Sequence, residues 1–297
     1  MAGSFIHKEM EKVEWVECPR DAMQGLSWFI PTAQKVSYLN SLLDVGFDVL
    51  DFGSFVSPKA IPQLRDTVDV LKQLKLNDRT SLLAIVANKR GGEEAAACDE
   101  IKFMGFPFSI SETFQQRNTN SSILESIATV EYLQSLAVKN NKELVVYISM
   151  AFGNPYGDDW NADIAMKWVD EIAGLGVKTI AMSDTVGVAK PADIRLIFEA
   201  LIPEFTDVKF GAHLHCTPDN WNEKVTAAWE SGCRRFDSAM KGYGGCPMAK
   251  DELVGNLASE NLFRFLNENK VNTNINANNF ENALSKAAAV FAEPLAT

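Results

Sequence analysis

The feature that most constrains this chain is an alternation repeated eight times. Short runs rich in β-branched and aromatic residues give way to longer stretches whose apolar residues recur at helical spacing. The strand-like runs lie at residues 13–19, 49–55, 81–87, 101–106, 143–150, 179–183, 209–215 and 235–240. Helical patterns lie between them at 33–45, 62–74, 123–139, 164–175, 192–201 and 221–231. In the first of these, Val36, Leu39, Leu42 and Leu43 follow one helix face. Gly46, Gly176 and Gly232 precede Phe, Val and Cys, as suits a helix end that runs into the next strand.

A crossover helix returns the chain in its original direction, so strands joined this way pair in parallel. Eight units predict an α/β fold, a closed (β/α)8 TIM barrel, rather than an open doubly wound sheet. No low-complexity linker interrupts the pattern, and 297 residues is an ordinary length for one such barrel. The expectation is one domain over 1–297, with the barrel at about 13–262. C-terminal helices at about 263–297 would close it or pack on its outside.

Lys and Arg number 28 against 39 Asp and Glu, a net charge of −11. Such acidity argues against nucleic acid or an anionic membrane as partner, because their phosphates would be repelled. No apolar run approaches the roughly 20 residues that span a bilayer. The charged start lacks the apolar core of a secretory signal, so the expected setting is cytoplasmic. Five widely spaced cysteines without a CxxC pair read as free thiols, not as a disulfide framework or a structural zinc site.

In this fold, active sites gather where strands end and the following loops begin. Polar residues sit at those positions: Arg20 and Asp21, Ser54, Asn88, Glu112, Ser149, Asp184 and Thr185, His215, and Lys241 onward. His213 and His215 are two of only three histidines. At i and i+2 on a strand they share a face, so both imidazoles can converge on one ion. Two buried histidines bonded to backbone carbonyls would explain the pair equally well. Asp21 can add a carboxylate oxygen and Arg20 can neutralise an anionic oxygen, while a surface ion pair is the plainer alternative. Oxygen donors beside two imidazoles favour magnesium or manganese over zinc.

After the eighth strand, Gly242-Tyr243-Gly244-Gly245-Cys246-Pro247 makes a glycine-rich loop with a thiol at its tip. Asn256 follows Gly255 in a segment expected to open a helix, where its amide is either a metal ligand or a cap. Asp184 can act as a base or orient a ligand, with loop capping as the alternative.

Together these segments resemble 3-hydroxy-3-methylglutaryl-CoA lyase and the wider metal-dependent aldolase and lyase superfamily. The similarity is carried by Pro19-Arg20-Asp21 with Gln24, Ser54-Phe55-Val56-Ser57-Pro58-Lys59, Ser111-Glu112-Thr113-Phe114 with Asn118, and the segment from Gly153 to Tyr156. It continues through Asp184-Thr185-Val186-Gly187-Val188, His213-Leu214-His215, and Gly244-Gly245-Cys246-Pro247 with Gly255-Asn256. The matching blocks span nearly the whole chain in order. The resemblance implies a divalent-metal site of Asp21, His213, His215 and Asn256, with Arg20 polarising a thioester oxygen and Cys246 as acid or base. It implies further catalytic roles for Asp51, Asp184 and His213, and substrate contacts from Gln24, Ser54, Asn88 and Thr185. The implied reaction is a retro-Claisen cleavage of hydroxymethylglutaryl-CoA, or a close 3-hydroxy-acyl-CoA, to acetyl-CoA and a 3-oxo acid such as acetoacetate, in a barrel of a kind that often dimerises. An aldolase or Claisen-type synthase acting on a 2-oxo acid, or a non-catalytic barrel that binds metal or a CoA ester, are the alternatives. Several positions depart from the family pattern. Cys216 stands for an aspartate, Asp51 for a glutamate, Cys18 and Ala22 for glycines, Asn154 for a cysteine, and Pro218 and Asn220 for a tyrosine and a glutamine.

Overall fold

The computed structural model describes residues 12–245 and 254–292. Its strands are β1 (Glu14–Glu17), β2 (Val49–Ser54), β3 (Ser81–Ile85), β4 (Ile101–Ser109), β5 (Glu143–Ser149), β6 (Thr179–Asp184), β7 (Lys209–Leu214) and β8 (Arg235–Ser238). They form one closed parallel barrel in chain order. Closure comes from β1 on β8, with Glu14 opposite Arg235 and Glu17 opposite Ser238. Each expected strand run overlaps an observed strand, and the barrel follows.

The helices are α1 (Pro19–Gln24), α2 (Thr32–Val45), α3 (Thr67–Leu71), α4 (Lys89–Ala96), α5 (Glu112–Thr119), α6 (Ile123–Lys139), α7 (Ala162–Gly174), α8 (Pro191–Glu204), α9 (Trp221–Glu230), α10 (Ser259–Glu268) and α11 (Ala277–Val290). At the end of α2, Gly46 takes a left-handed φ of 98°, which costs a glycine little. The same step recurs at Gly176 and Gly232. None of these helices is long and apolar enough to cross a membrane.

The strands are buried on both faces and build two cores. Val16, Val49, Leu83, Phe103, Val145 and Ala181 fill the barrel interior. A larger layer, including Trp15, Phe47, Leu133, Val169 and Phe198, packs between strands and helices. Inward residues of alternate strands fill such a barrel in layers, which leaves only its mouth for chemistry. At the C-terminus, α11 packs outside on α2, where Phe280 stacks among Phe47, Phe263 and Trp15.

Where one helix was expected over 62–74, the chain makes a 3-10 turn at Pro62–Leu64 and then the short α3. The Gln63 carbonyl accepts from Lys35 Nζ, and the Leu64 carbonyl accepts from Thr67 Oγ1. Both carbonyls are thus taken by side chains where a continuous helix would pair them with backbone N–H groups. Neither α4 nor α5 was expected. The first holds Gly91 and Gly92, which weaken a helix, and the second is polar throughout. Gly91 is required there, because a Cβ would meet the Phe55 carbonyl oxygen at 2.6 Å.

Beneath the mouth, Glu17 is fully buried and accepts hydrogen bonds from the Met240 N–H at 2.7 Å and from Ser259 Oγ. Burial pushes its carboxyl up from 4.5 to about 8, against those hydrogen bonds. The folded state therefore keeps a proton that the unfolded chain loses above pH 4.5. This group favours folding most below 4.5, and its contribution falls as pH rises to about 8, by at most ~1.4 kcal/mol per pH unit. In Glu17→Gln that slope is expected to vanish. Melting curves between pH 5 and 8.5 should show the variant gaining on the parent as pH rises, and a constant gap would refute it.

Candidate active site

The mouth holds a cavity bordered by residues from the first turn of α1, from several strand ends and from α5. Arg20 and Asp21 lie in α1, directly after β1, and both are buried. Arg20 grips Asp51 of β2 with a two-pronged ion pair, Nε to Oδ2 at 2.9 Å and Nη2 to Oδ2 at 2.6 Å. Its Nη1 donates to Asp21 Oδ1 at 3.1 Å and to Gln24 Oε1 at 2.9 Å. Four of its five N–H groups are thereby engaged, and the second Nη2 hydrogen has no partner among the described residues. Burial lifts Asp51 to about 6, despite the Arg20 charge that works to lower it. Burial also opposes ionisation of Asp21, but Arg20 and the two imidazoles hold that carboxyl below the usual range.

His213 and His215 come from the end of β7 and from the bridge residue just beyond it. The structure brings both imidazoles to the cavity, and one ligand atom from each lies within 4.8 Å of one from Asp21. Each ring is held from behind. His213 Nδ1 bonds Asp237 Oδ2 at 3.1 Å, and Asp237 is itself braced by Arg235 at 2.8 Å. His215 Nδ1 donates to the Thr185 carbonyl at 2.9 Å. That bond leaves His215 Nε2 as the lone-pair nitrogen, and it is buried without a hydrogen-bond partner among the described residues. Burial, reinforced by His213, drives His215 down to about 4, so the ring is neutral at pH 7. For His213 burial favours the neutral form, but the hydrogen bond and charge of Asp237 outweigh it and raise the ring.

A buried, unprotonated and unpartnered imidazole nitrogen is costly unless a cation completes it. Histidines oriented by a carboxylate and a carbonyl are the usual outer support of a metal site. Asp21 and the two imidazoles therefore fit a divalent cation. Asn256 stands beside them, but it caps no helix. It bridges to His215 in antiparallel fashion, and α10 starts three residues later. Its Nδ2 donates to Asp21 Oδ2 at 2.7 Å and to the Tyr243 carbonyl at 2.8 Å, which leaves the lone pairs of Oδ1 as the ligand it can offer a metal. Gly244 permits this approach, since a Cβ there would lie 2.5 Å from Asn256 Nδ2.

Gln24 and Thr185 border the cavity as expected of substrate contacts, and so do Asn118 and Ser149. Ser54 and Asn88 do not. Ser54 Oγ accepts the Val56 N–H at 3.1 Å, and Asn88 Oδ1 caps α4 through Gly91 N–H at 2.9 Å. Each side-chain oxygen accepts from local backbone. Cys246 lies outside the described residues.

Asp184 does not border the cavity either. Its oxygens accept from Lys224 Nζ at 2.7 Å and from the Ala189 N–H at 3.0 Å. The bond from the Ala189 N–H is the loop capping given above as the alternative, and Lys224 joins it. Lys224, fully buried on α9, also donates to the Gly187 and His215 carbonyls, each at 2.9 Å. It thereby ties the β6 loop, which supplies the Thr185 carbonyl, to the backbone of His215. Sequence reasoning missed Lys224 and Asp237, and both carried a signal. Lys224 sits in the apolar stripe of Trp221, Val225 and Ala228, and Asp237 interrupts a strand core. Lys224→Met should leave Asp184 buried and unpaired, at about 3–5 kcal/mol in stability, and weaken metal binding by about 10- to 100-fold. Adding Asp184→Asn should restore part of the stability. Calorimetric Mn2+ titration and thermal melting check both, and unchanged affinity would sink the positioning role.

The HMGL-like family model matches residues 12–286. The hydroxymethylglutaryl-CoA lyase of Bacillus subtilis is 32% identical over 260 residues, covering 86% of this chain and 85% of that protein. A 3-hydroxy-3-isohexenylglutaryl-CoA/hydroxy-methylglutaryl-CoA lyase of Pseudomonas aeruginosa is 31% identical over 282 residues, covering 94% and 93%. Among solved structures, an HMG-CoA lyase from Acinetobacter baumannii, in complex with coenzyme A and 3-methylmalate, superposes with a TM-score of 0.87. It is 26% identical, over 94% of this chain and 91% of that one.

Proposed function

Since this chain belongs to the HMGL-like family of carbon–carbon lyases, we propose that it cleaves 3-hydroxy-3-methylglutaryl-CoA to acetyl-CoA and acetoacetate at the cavity described above. The observation that carries the site assignment is the unpartnered His215 Nε2 beside Asp21 and His213. Asp21, His213, His215 and the Asn256 amide oxygen would hold a divalent cation, which supplies Lewis acidity at the substrate oxygens. The mix of oxygen and imidazole donors favours Mg2+ or Mn2+.

The chain's own groups account for the proton and charge movements. Asp51, at about 6, is ionised at neutral pH and close enough to neutrality to take the proton of the tertiary hydroxyl. As that proton leaves, the alkoxide becomes a ketone and the bond to the thioester's α-carbon breaks. The electron pair moves onto the thioester, where the remaining Arg20 N–H can stabilise the enolate oxygen. Cys246 is proposed to return a proton to the α-carbon. Val56, Ile61 and Ile85 line the apolar side of the cavity.

Purified protein supplied with Mg2+ or Mn2+ and 3-hydroxy-3-methylglutaryl-CoA should form acetoacetate and acetyl-CoA in equal amounts. Neither product with either cation would overturn the assignment. Cys246→Ser should retain metal binding and lose most of the turnover. Full activity in that variant would remove the thiol from the reaction.

A further inference from the structure

Behind the metal ligands, the thiol of Cys18, which the reaction does not use, joins His213 and the carboxylate that orients it, Asp237, in a second set of donors. Cys18 follows β1 and faces the interior, and the register aligns Val16 with Asp237 and Asp237 with His213. Three neighbouring strand ends, β7, β8 and β1, thus bring an imidazole, a carboxylate and a thiol together. One ligand atom from each lies within 4.8 Å of the others, and all three residues are largely buried. Among the described residues the thiol makes only a weak contact to the Val16 carbonyl at 4.0 Å. It borders the cavity beside His213.

We propose that Cys18, His213 and Asp237 form a second binding site, selective for thiophilic divalent cations such as Zn2+ or Cd2+. A sulfur, nitrogen and oxygen set suits such ions, whereas Mg2+ gains little from a thiolate. Ligands about 2.0–2.3 Å from a tetrahedral ion lie roughly 3.5 Å apart, so a contraction of about 1 Å closes the site. On binding, the thiol releases its proton to solvent and the sulfur–metal bond forms, with no change of redox state. The two sites exclude each other. A cation on Asp237 withdraws the acceptor that orients His213 at 3.1 Å, and it competes for the imidazole that the Asp21 and His215 site requires. Exclusion, though not the soft-cation site itself, rests on the metal site proposed above.

Two measurements on intact protein test this. Cd2+ titration should give a thiolate-to-cadmium charge-transfer absorption, and Cys18→Ala and Cys18→Ser should each lose the increment that saturates first. Free Mn2+ followed by electron paramagnetic resonance reads the exclusion. Cd2+ should displace bound Mn2+ from the parent protein at concentrations at least about tenfold lower than from either variant. An absorption increment equal in the parent and both variants overturns the site. Equal displacement in all three overturns the exclusion. Failure of the parent to bind Mn2+ at all would instead count against the Asp21, His213 and His215 site, and the absorption titration would still decide on Cys18.

Discussion

Replacing His215 by alanine is expected to lower metal affinity by at least about a hundredfold and to abolish measurable turnover at ordinary Mg2+ concentrations. The reason lies in how completely this residue is committed. Its Nδ1 is fixed to the Thr185 carbonyl, its backbone carbonyl to Lys224, and its Nε2 has no partner among the described residues. Losing an outer support alone costs about 10- to 100-fold, so losing the ligand itself should cost more. A ring held near 4 also meets no competing proton across the neutral range. In the parent, a metal at 100 times its dissociation constant should stabilise the fold by about 2.7 kcal/mol, and this increment should fall to about 0.4 kcal/mol or less in the variant. Thermal melting with and without Mn2+ reads it independently of catalysis. A variant stabilised by Mn2+ as strongly as the parent would remove His215 from the site.

The second large effect is expected at Arg20. Arg20→Lys keeps the positive charge but not the planar fork that grips Asp51 while reaching Asp21 and Gln24. Turnover should fall by about 100- to 1,000-fold, the typical loss for one donor aimed at a developing oxyanion, with a smaller change in KM. A second signature sets this apart from a general loss of structure. The Arg20 charge is what restrains Asp51, so weakening the pair should let its carboxyl rise further above 6. The acid limb of the pH–kcat/KM profile should then move to higher pH. If turnover falls but that limb stays in place, Asp51 is not the proton acceptor proposed here.

Much of the fold was legible because its signals are local. Apolar runs of strand length and helical periodicity in segments such as 123–139 depend on near neighbours only. The misreadings share a cause. At 62–74, side chains from Lys35 and Thr67 took the carbonyls a helix would have used. At α4, two glycines weakened the local signal because the packing of Phe55 and Leu133 left no room for a Cβ. In both cases tertiary contacts overrode propensity. The site divides the same way. Histidines two apart on a strand share a face by geometry, so their convergence could be anticipated, as could Arg20-Asp21 after β1. Ser54 and Asn88 stood at equally suggestive strand ends, yet their side-chain oxygens accept from local backbone.

The chain's own pattern, then, determined eight parallel units, a closed barrel and the strand ends where chemistry would gather. Tertiary structure alone decided which polar residues serve that chemistry. Asn256 reaches Asp21 across 235 positions, Arg20 reaches Asp51 across 31, and His213 reaches Asp237 across 24. Pairing of β1 with β2 and of β7 with β8 joins the last two pairs, and closure of β1 on β8 joins the first. Whether a buried nitrogen such as His215 Nε2 is paired depends on every element around it, and no window of sequence contains them all.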